Sequence, residues 1–367
     1  MGQCRHCGGE SRVISAKLGY CGPCLRKHFN QAWPDIQELH HASRQAFQLP
    51  LEPPRDPRGQ TCTLCFHDCQ IPEGGVGFCG GRRVEGGRLR GGSPAGANLS
   101  FYHDPLPTNC VADFFCPAST GRGYPTYAYV DGPERGYVNL AVFYHACNFN
   151  CLFCQNWTFK KNTFGKERVS APALARAAHQ RTSCLCYFGG DPTPQLPHAL
   201  AAARLARDAA KKDGRLLRIC WETNGAMQES WLKPMVESSL SNGGIIKFDL
   251  KAFSPEMHLA LTGVSNSQTL QNFAALAPRV QERPEVPLLT CSTLMVPGYV
   301  DLEEIHGLAR FIATLNPDIP YSLLAFYPQF YLNDLPTTSR DFAFKARQVA
   351  LQAGVKRVNL GNLHLLK

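Results

Sequence analysis

From Tyr137 to the end of the chain, runs rich in β-formers alternate with amphipathic helical stretches, and this alternation restricts the fold more than any other feature. The expected strands are YVNLAVFYH, CLCYFGG, LLRICWETN, IIKFDLKAF, LLTCSTLMV and YSLLAFYP, with a seventh at RVNLGNL. Between them lie helical stretches such as LPHALAAARLARDAAKK, DLEEIHGLARFIATL and SRDFAFKARQVALQAG. Repeated strand–helix units call for a parallel sheet joined by right-handed crossovers. So many units predict an α/β fold, a partial or full (β/α) barrel over residues 137–367. Chemistry in such barrels gathers at the carboxyl ends of the strands. There the sequence places a three-cysteine loop, then GGDP, ETNG, DLK and MVPG.

The loop is HACNFNCLFCQNW, with Cys147, Cys151 and Cys154 spaced C-x3-C-x2-C and Phe153 just before the last cysteine. Three thiolates on so short a loop can hold three corners of an iron–sulfur cube and leave the fourth iron without a protein ligand. An open iron is a place for chemistry. A structural zinc site wants four ligands in a closed tetrahedron. The nearest other donor is His145, an awkward reach from two residues before Cys147.

Seventeen cysteines occur in all, mostly in short-spaced groups. Such grouping reads as metal ligation in a reducing compartment rather than as a disulfide framework. Cys4, Cys7, Cys21 and Cys24 form two C-x2-C pairs separated by 13 residues, a zinc-ribbon-like module over residues 1–30, with rubredoxin-like iron as the rival. Residues 31–60 contain WPD and QLPLEPPRDPRG and predict an extended Pro-rich linker. Residues 61–136 form a cysteine-rich accessory segment. In it Cys62, Cys65, Cys69 and Cys79 are spaced C-x2-C-x3-C-x9-C, four ligands for zinc or for a closed iron–sulfur cluster. Cys110 and Cys116 follow as a pair too small for a site of its own. Cys184, Cys186, Cys220 and Cys291 fall on expected strands and read as small buried residues.

The hydrophobic content of 44% and charged content of 18% are those of a globular chain. No apolar run reaches about 18 residues, and the N-terminus lacks an apolar signal core, which predicts a cytoplasmic protein without a membrane span. The net charge of +9 is spread along the chain. It describes either a solvated surface or a docking face for nucleic acid or an acidic protein. Neither a Ser-His-Asp pattern nor a P-loop supports another chemistry.

With these motifs in this order the chain resembles the radical S-adenosylmethionine (SAM) enzymes. Gly189-Gly190-Asp191-Pro192 resembles that group's GGEP motif. Glu222-Thr223-Asn224-Gly225 resembles the DTNG of the pyruvate formate-lyase-activating enzyme subgroup, and Asp249-Leu250-Lys251 its DLK. A denser resemblance is to the radical SAM component of the AmmeMemoRadiSam system. It is carried by CTLCFHDCQIPEGGVGFCGGR, HDPLPTN, CNFNCLFCQNW, DLKAFSPEM, MVPGYVDLEEI, FYPQFYLNDLPTTS and RVNLGNL, and covers residues 61–367. Three departures stand out: the extra N-terminal module, Cys110 and Cys116, and a longer stretch, GRGYPTYAYVDGPERGYVNL, before the cysteine loop.

The resemblance implies a [4Fe-4S] cluster on Cys147, Cys151 and Cys154. It implies SAM bound by Gly189, Gly190 and Asp191 at its methionine end, with Thr223, Asn224, Asp249 and Lys251 farther along and Phe153 near the adenine. Acidic strand ends, here Glu222 with its longer side chain, hold a monovalent cation in some members of the subgroup. The implied reaction is reductive cleavage of SAM to a 5′-deoxyadenosyl radical that takes hydrogen from a substrate. An electron donor of the flavodoxin or ferredoxin type is implied as a partner. Three readings compete: an enzyme acting on a protein, peptide or other macromolecule, an enzyme modifying nucleic acid, and a non-catalytic metal-binding scaffold.

Overall fold

The computed structural model describes residues 1–367. Its centre is one eight-stranded sheet. The strands are β1 (Leu99–Pro105), β2 (Val138–Tyr144), β3 (Thr182–Gly189), β4 (Arg218–Thr223), β5 (Ile246–Asp249), β6 (Leu289–Met295), β7 (Tyr321–Ala325) and β8 (Val358–Gly361). They lie side by side in chain order, and the two end strands are not paired with each other. The sheet is therefore a partial barrel, open between β1 and β8. Strands β2 to β8 are parallel and β1 is antiparallel to β2. All seven expected strands are present; β1 was not among them, because its SFYH face is largely exposed and carries no apolar run.

Helices cover the outside. Those on the crossovers include α3 (Ala171–Arg176), α4 (Leu196–Lys212), α5 (Leu232–Ser239), α6 (Pro255–Thr262), α7 (Ser267–Leu276), α8 (Leu302–Leu315) and α9 (Arg340–Gln352). In α4 the buried positions Leu196, Ala199, Ala202, Ala203, Ala206 and Ala210 follow the helical period, so a stripe of alanines lets the helix lie close on the sheet. Two caps are plain: Asp301 accepts from the backbone N–H of Glu303 and Glu304 at the start of α8, and Ser339 from that of Phe342 at α9. No helix is long and apolar enough to cross a membrane.

One expectation about the N-terminal third needs correction. The residues of the module over 1–30 are not detached from the barrel, since Ile14, Leu18, Tyr20 and Leu25 belong to the same 68-residue core. The Tyr299 hydroxyl donates to the Tyr20 carbonyl and accepts from the Ser15 N–H, and Arg26 pairs with Asp301 at 2.6 Å. Nor are residues 31–60 an extended linker throughout. Helices α1 (Gly22–Lys27) and α2 (Phe29–Gln45) follow one another, and α2 passes through Pro34. Proline removes one helical donor there, but Ala32, Ile36, His40 and Ser43 are buried at helical spacing and outweigh it. Only the stretch beyond α2 is irregular.

The longer stretch before β2 is anchored underneath the barrel. Glu134 is fully buried, accepts from Ser183 Oγ at 2.6 Å and forms a short ion pair with Arg218, which is also buried. Burial pushes the Glu134 carboxyl up, but the Arg218 guanidinium outweighs it and holds it below the ordinary value. Residues near Cys110 cross the open side of the barrel, where Ser322 Oγ on β7 donates to the Val111 carbonyl at 2.7 Å.

Candidate active site

Twelve residues expected from the sequence at the cluster and SAM sites line one cavity of about 210 Å³ at the carboxyl ends of the strands. They are Cys147, Cys151, Phe153, Cys154, Gly189, Gly190, Asp191, Glu222, Thr223, Asn224, Asp249 and Lys251. Lys160, Phe188, Leu294 and Leu324 are among the other residues of its wall, whereas His145 does not line it.

The cysteine loop is tied down by its neighbours. Asn150 N–H donates to the Thr262 carbonyl and Leu152 N–H to that of Leu261, so the loop rests on the end of α6. Asn148 accepts on its side-chain oxygen from Asn224 Nδ2 at 2.7 Å, and Asn150 donates to Ser43 Oγ at 2.7 Å and contacts His40 Nδ1 at 3.0 Å. The two asparagines of CNFNC are thus structural ties, one to the end of β4 and one to α2.

GGDP is shaped by close approach. Gly189 has φ +93°, and a Cβ on Gly190 would lie 2.2 Å from the Ala146 carbonyl oxygen. Gly190 and Asp191 N–H donate to the carbonyls of Tyr144 and Ala146, which locks this turn to the cysteine loop. The Asp191 carboxylate is buried and turned inward. It accepts from the N–H of Thr193 (2.8 Å) and of Asn224 (2.7 Å) and from Thr223 Oγ1 (3.1 Å). Burial raises its pKa although all these bonds oppose the rise. Asp191, Thr223 and Asn224 therefore join two strand ends, and their side chains are largely used within the protein.

Strand β5 turns Lys247 and Asp249 to one face, as alternate strand residues must, and Lys251 follows just beyond its end. Asp249 accepts from Ser292 Oγ and pairs with Lys251 Nζ, both at 2.7 Å. Burial opposes charge on Lys251, but Asp249 and the Cys151 thiol outweigh it and raise its pKa. Glu222 pairs with Lys247 Nζ at 3.0 Å, and that ammonium also approaches Cys110 Sγ at 3.1 Å. A protein ammonium thus already neutralises the acidic group expected to hold a cation. Lys247 was not singled out from the sequence, although its two-residue offset from Asp249 was there to be read.

The donor set fits an anionic thiolate cluster. Lys160 is 4% exposed, has no carboxylate partner, and its ammonium hydrogen-bonds only to Asn150 Oδ1, at 3.0 Å. Burial lowers its pKa, and Cys154, Cys147 and Cys151 are the acidic groups facing it. Burial also raises the three thiols, Cys151 to about 12. An isolated buried ammonium beside neutral thiols is costly; ligated thiolates supply the missing charge. The three sulfurs also do not crowd to the spacing of one tetrahedral ion. Only Cys4, Cys7, Cys21 and Cys24 bring their ligand atoms within 4.8 Å of one another, near the roughly 3.8 Å that four Zn–S bonds require.

Comparison with known proteins agrees with this geometry. Residues 141–312 match the model of the Radical SAM superfamily. An uncharacterized protein of Methanocaldococcus jannaschii is 25% identical over 82% of this chain and 81% of its own length. The pyruvate formate-lyase 1-activating enzyme of Escherichia coli is 27% identical over 54% of this chain and 76% of its own. The isethionate sulfite-lyase activating enzyme of Desulfovibrio desulfuricans is 31% identical over 39% of this chain and 41% of its own. Radical SAM proteins use a [4Fe-4S] cluster and SAM, for which this cavity has the donors. The chain carries a radical SAM domain and is an enzyme of that superfamily.

Proposed function

We propose that the enzyme takes a hydrogen atom from a segment of a protein or peptide. One observation carries the reading. A second, open cavity of about 950 Å³ adjoins the first and shares with it Val111, Asn156, Phe188, Glu222 and Leu324. It fills the gap in the barrel, with Tyr102 and Asp104 of β1 on one side and Asn359 and Gly361 of β8 on the other. That volume lies at the upper end for small-molecule pockets, and its lateral opening suits a chain segment entering from outside. Two of the relatives are named as activating enzymes, one for a lyase of pyruvate and formate and one for a lyase of isethionate and sulfite, which favours protein over nucleic acid.

The geometry supports the following roles. Cys147, Cys151 and Cys154 ligate the cluster, and Lys160 balances its charge. The cluster and SAM together supply the 5′-deoxyadenosyl radical. Gly189 and Gly190 present main chain to the methionine end of SAM, while Asp191, Thr223 and Asn224 hold that main chain in place. Asp249 and Lys251 border the same ligand, and Phe153 closes the wall beside them. Glu222 stands where the two cavities meet and, paired with Lys247 behind it, holds that boundary polar. Cys4, Cys7, Cys21 and Cys24 bind zinc, and a low-potential flavodoxin or ferredoxin in the cytoplasm supplies the electron.

Anaerobically reconstituted protein should release 5′-deoxyadenosine and methionine from SAM under reduction, and Cys154→Ala should abolish both. Cross-linking to the inactive Cys154→Ala protein should then recover a polypeptide. Absence of SAM cleavage in cluster-loaded wild type rejects the chemistry; recovery of RNA alone, in a salt-sensitive complex, rejects the protein substrate.

A further inference from the structure

The accessory cysteines Cys62, Cys65, Cys69 and Cys79 are all buried, yet no three of them bring their sulfurs within 4.8 Å of one another. A single tetrahedral ion needs sulfurs about 3.8 Å apart. The corners of an iron–sulfur cube stand farther apart, and the sulfurs of the triad Cys147, Cys151 and Cys154 likewise do not all lie within 4.8 Å of one another. The N-terminal four, in the same molecule, do converge.

A second observation points the same way. Arg44 on α2 is 1% exposed and has no carboxylate partner. Its Nε donates to the Pro50 carbonyl at 2.5 Å and its Nη2 to that of Phe78, and its Cζ lies 3.4 Å from the centre of the Phe78 ring. Nη1 is buried with no partner at all. The acidic groups facing this cation are the thiols of Cys79 and Cys147, the Glu52 carboxylate, which pairs with His41 instead, and the thiol of Cys69. A buried, unpaired guanidinium requires an anion nearby. Ligated thiolates on both sides provide one, much as the triad does for Lys160.

The segment is also seated directly on the active-site loops. Cys62 and Cys69 belong to one apolar cluster with Phe149 and Ala226, and Cys147 and Cys151 pack against that cluster. His67 Nε2 meets the Asn148 carbonyl at 2.8 Å, and Gln228 N–H donates to the Leu64 carbonyl at 3.0 Å. On the other side Thr61, Thr63 and Asp68 are exposed.

We propose that Cys62, Cys65, Cys69 and Cys79 hold a second, fully ligated iron–sulfur cluster that passes single electrons from solvent-side donors to the cluster on the triad. A reduced flavodoxin- or ferredoxin-type carrier gives one electron to the second cluster. That cluster gives one electron to the first and returns to its oxidised form, so one electron enters and one leaves. The metal assignment stands on its own; the relay rests on the radical SAM reading.

The test uses the full chain, reconstituted anaerobically with iron and sulfide. The variant Cys147→Ala/Cys151→Ala/Cys154→Ala should keep about half of the wild-type iron and sulfide and give a cluster EPR signal on reduction. Zinc in place of iron, or no iron, in that variant overturns the proposal. In the same background Arg44→Met should retain the cluster and lower its reduction potential, because a buried positive charge no longer favours the reduced form; an unchanged potential overturns the role given to Arg44. The variant Cys65→Ala/Cys79→Ala, provided it keeps the triad's iron, should slow reduction of that cluster by a protein carrier tenfold or more. An unchanged rate overturns the relay but not the second cluster. If the triad variant holds its cluster while loaded wild type never cleaves SAM, the proposed activity fails and the second site stands.

Discussion

Asp191 shows how far a motif can be read and where reading stops. Spacing and strand position identify GGDP as a SAM-site turn, but spacing says nothing about which way a carboxylate points. In the structure all its recorded hydrogen bonds are to Thr193, Thr223 and the Asn224 main chain. Asp191→Asn places an amide where an oxygen accepts, and either amide orientation leaves a buried N–H facing another donor. A mismatch of this kind costs about 1–3 kcal/mol. The Asn224 turn borders both the cluster loop and the SAM wall, so the cost should fall on ligand binding. We expect triad iron to be retained and SAM affinity to drop by about tenfold or more, read by iron analysis and equilibrium SAM binding. Unchanged affinity would show that the turn holds without this carboxylate. Asn148 and Asn150 were equally invisible: in a metal loop the eye goes to cysteine, yet these asparagines fix where the cysteines stand.

At the scale of elements, most strands were legible because six of the eight, β2 to β7, are largely buried on both faces and read as apolar runs. Helix α2 was not. Its buried stripe includes His40, Ser43 and Arg44, polar residues that erase the apolar period, and Pro34 argues for a break. Those polar members are its function. His40 and Ser43 hold Asn150 of the cysteine loop, and Arg44 faces cysteines on two segments. Two predictions separate the helix's packing from its ties. Ile36→Ala, at a fully buried site, should destabilise the protein by about 2–5 kcal/mol. Asn150→Ala leaves Lys160 without its only hydrogen-bond acceptor and should accelerate iron loss to a chelator severalfold at a temperature where the fold persists. Glu38→Ala on the exposed side of α2 should do neither. Denaturation midpoints and chelator kinetics check both; equal iron loss from wild type and Asn150→Ala would mean the loop is held by its main-chain bonds to α6 alone.

Across the whole molecule, modules that look separate in sequence share one core, so a local change of charge is felt globally. Three buried histidines on three helices carry this furthest. His40 on α2, His198 on α4 and His258 on α6 are each pushed down to about 4, chiefly by burial. Each is placed for the neutral ring. His198 Nδ1 lies 2.9 Å from the Tyr144 hydroxyl, and His258 Nδ1 lies 2.8 Å from the Val264 carbonyl. The outer Nε2 of both has no partner. Arg44 and Lys160 repel a proton on His40, as Lys251 does on His258. The folded pKa therefore lies below the unfolded value of 6.5, so between the two the unfolded chain binds protons that the folded chain refuses. Stability must fall as pH drops from about 6.5 toward 4, by up to about 2 kcal/mol per histidine at pH 5. Urea midpoints measured at pH 7 and pH 5 should show the loss. Acid also strips metal from thiolates, so the discriminating protein is His198→Gln/His258→Gln, whose neutral amides keep hydrogen-bonding capacity but do not titrate. Its midpoint should change clearly less with pH than that of wild type at equal metal content. If both proteins lose the same amount, acid sensitivity belongs to the metal sites and not to the buried rings.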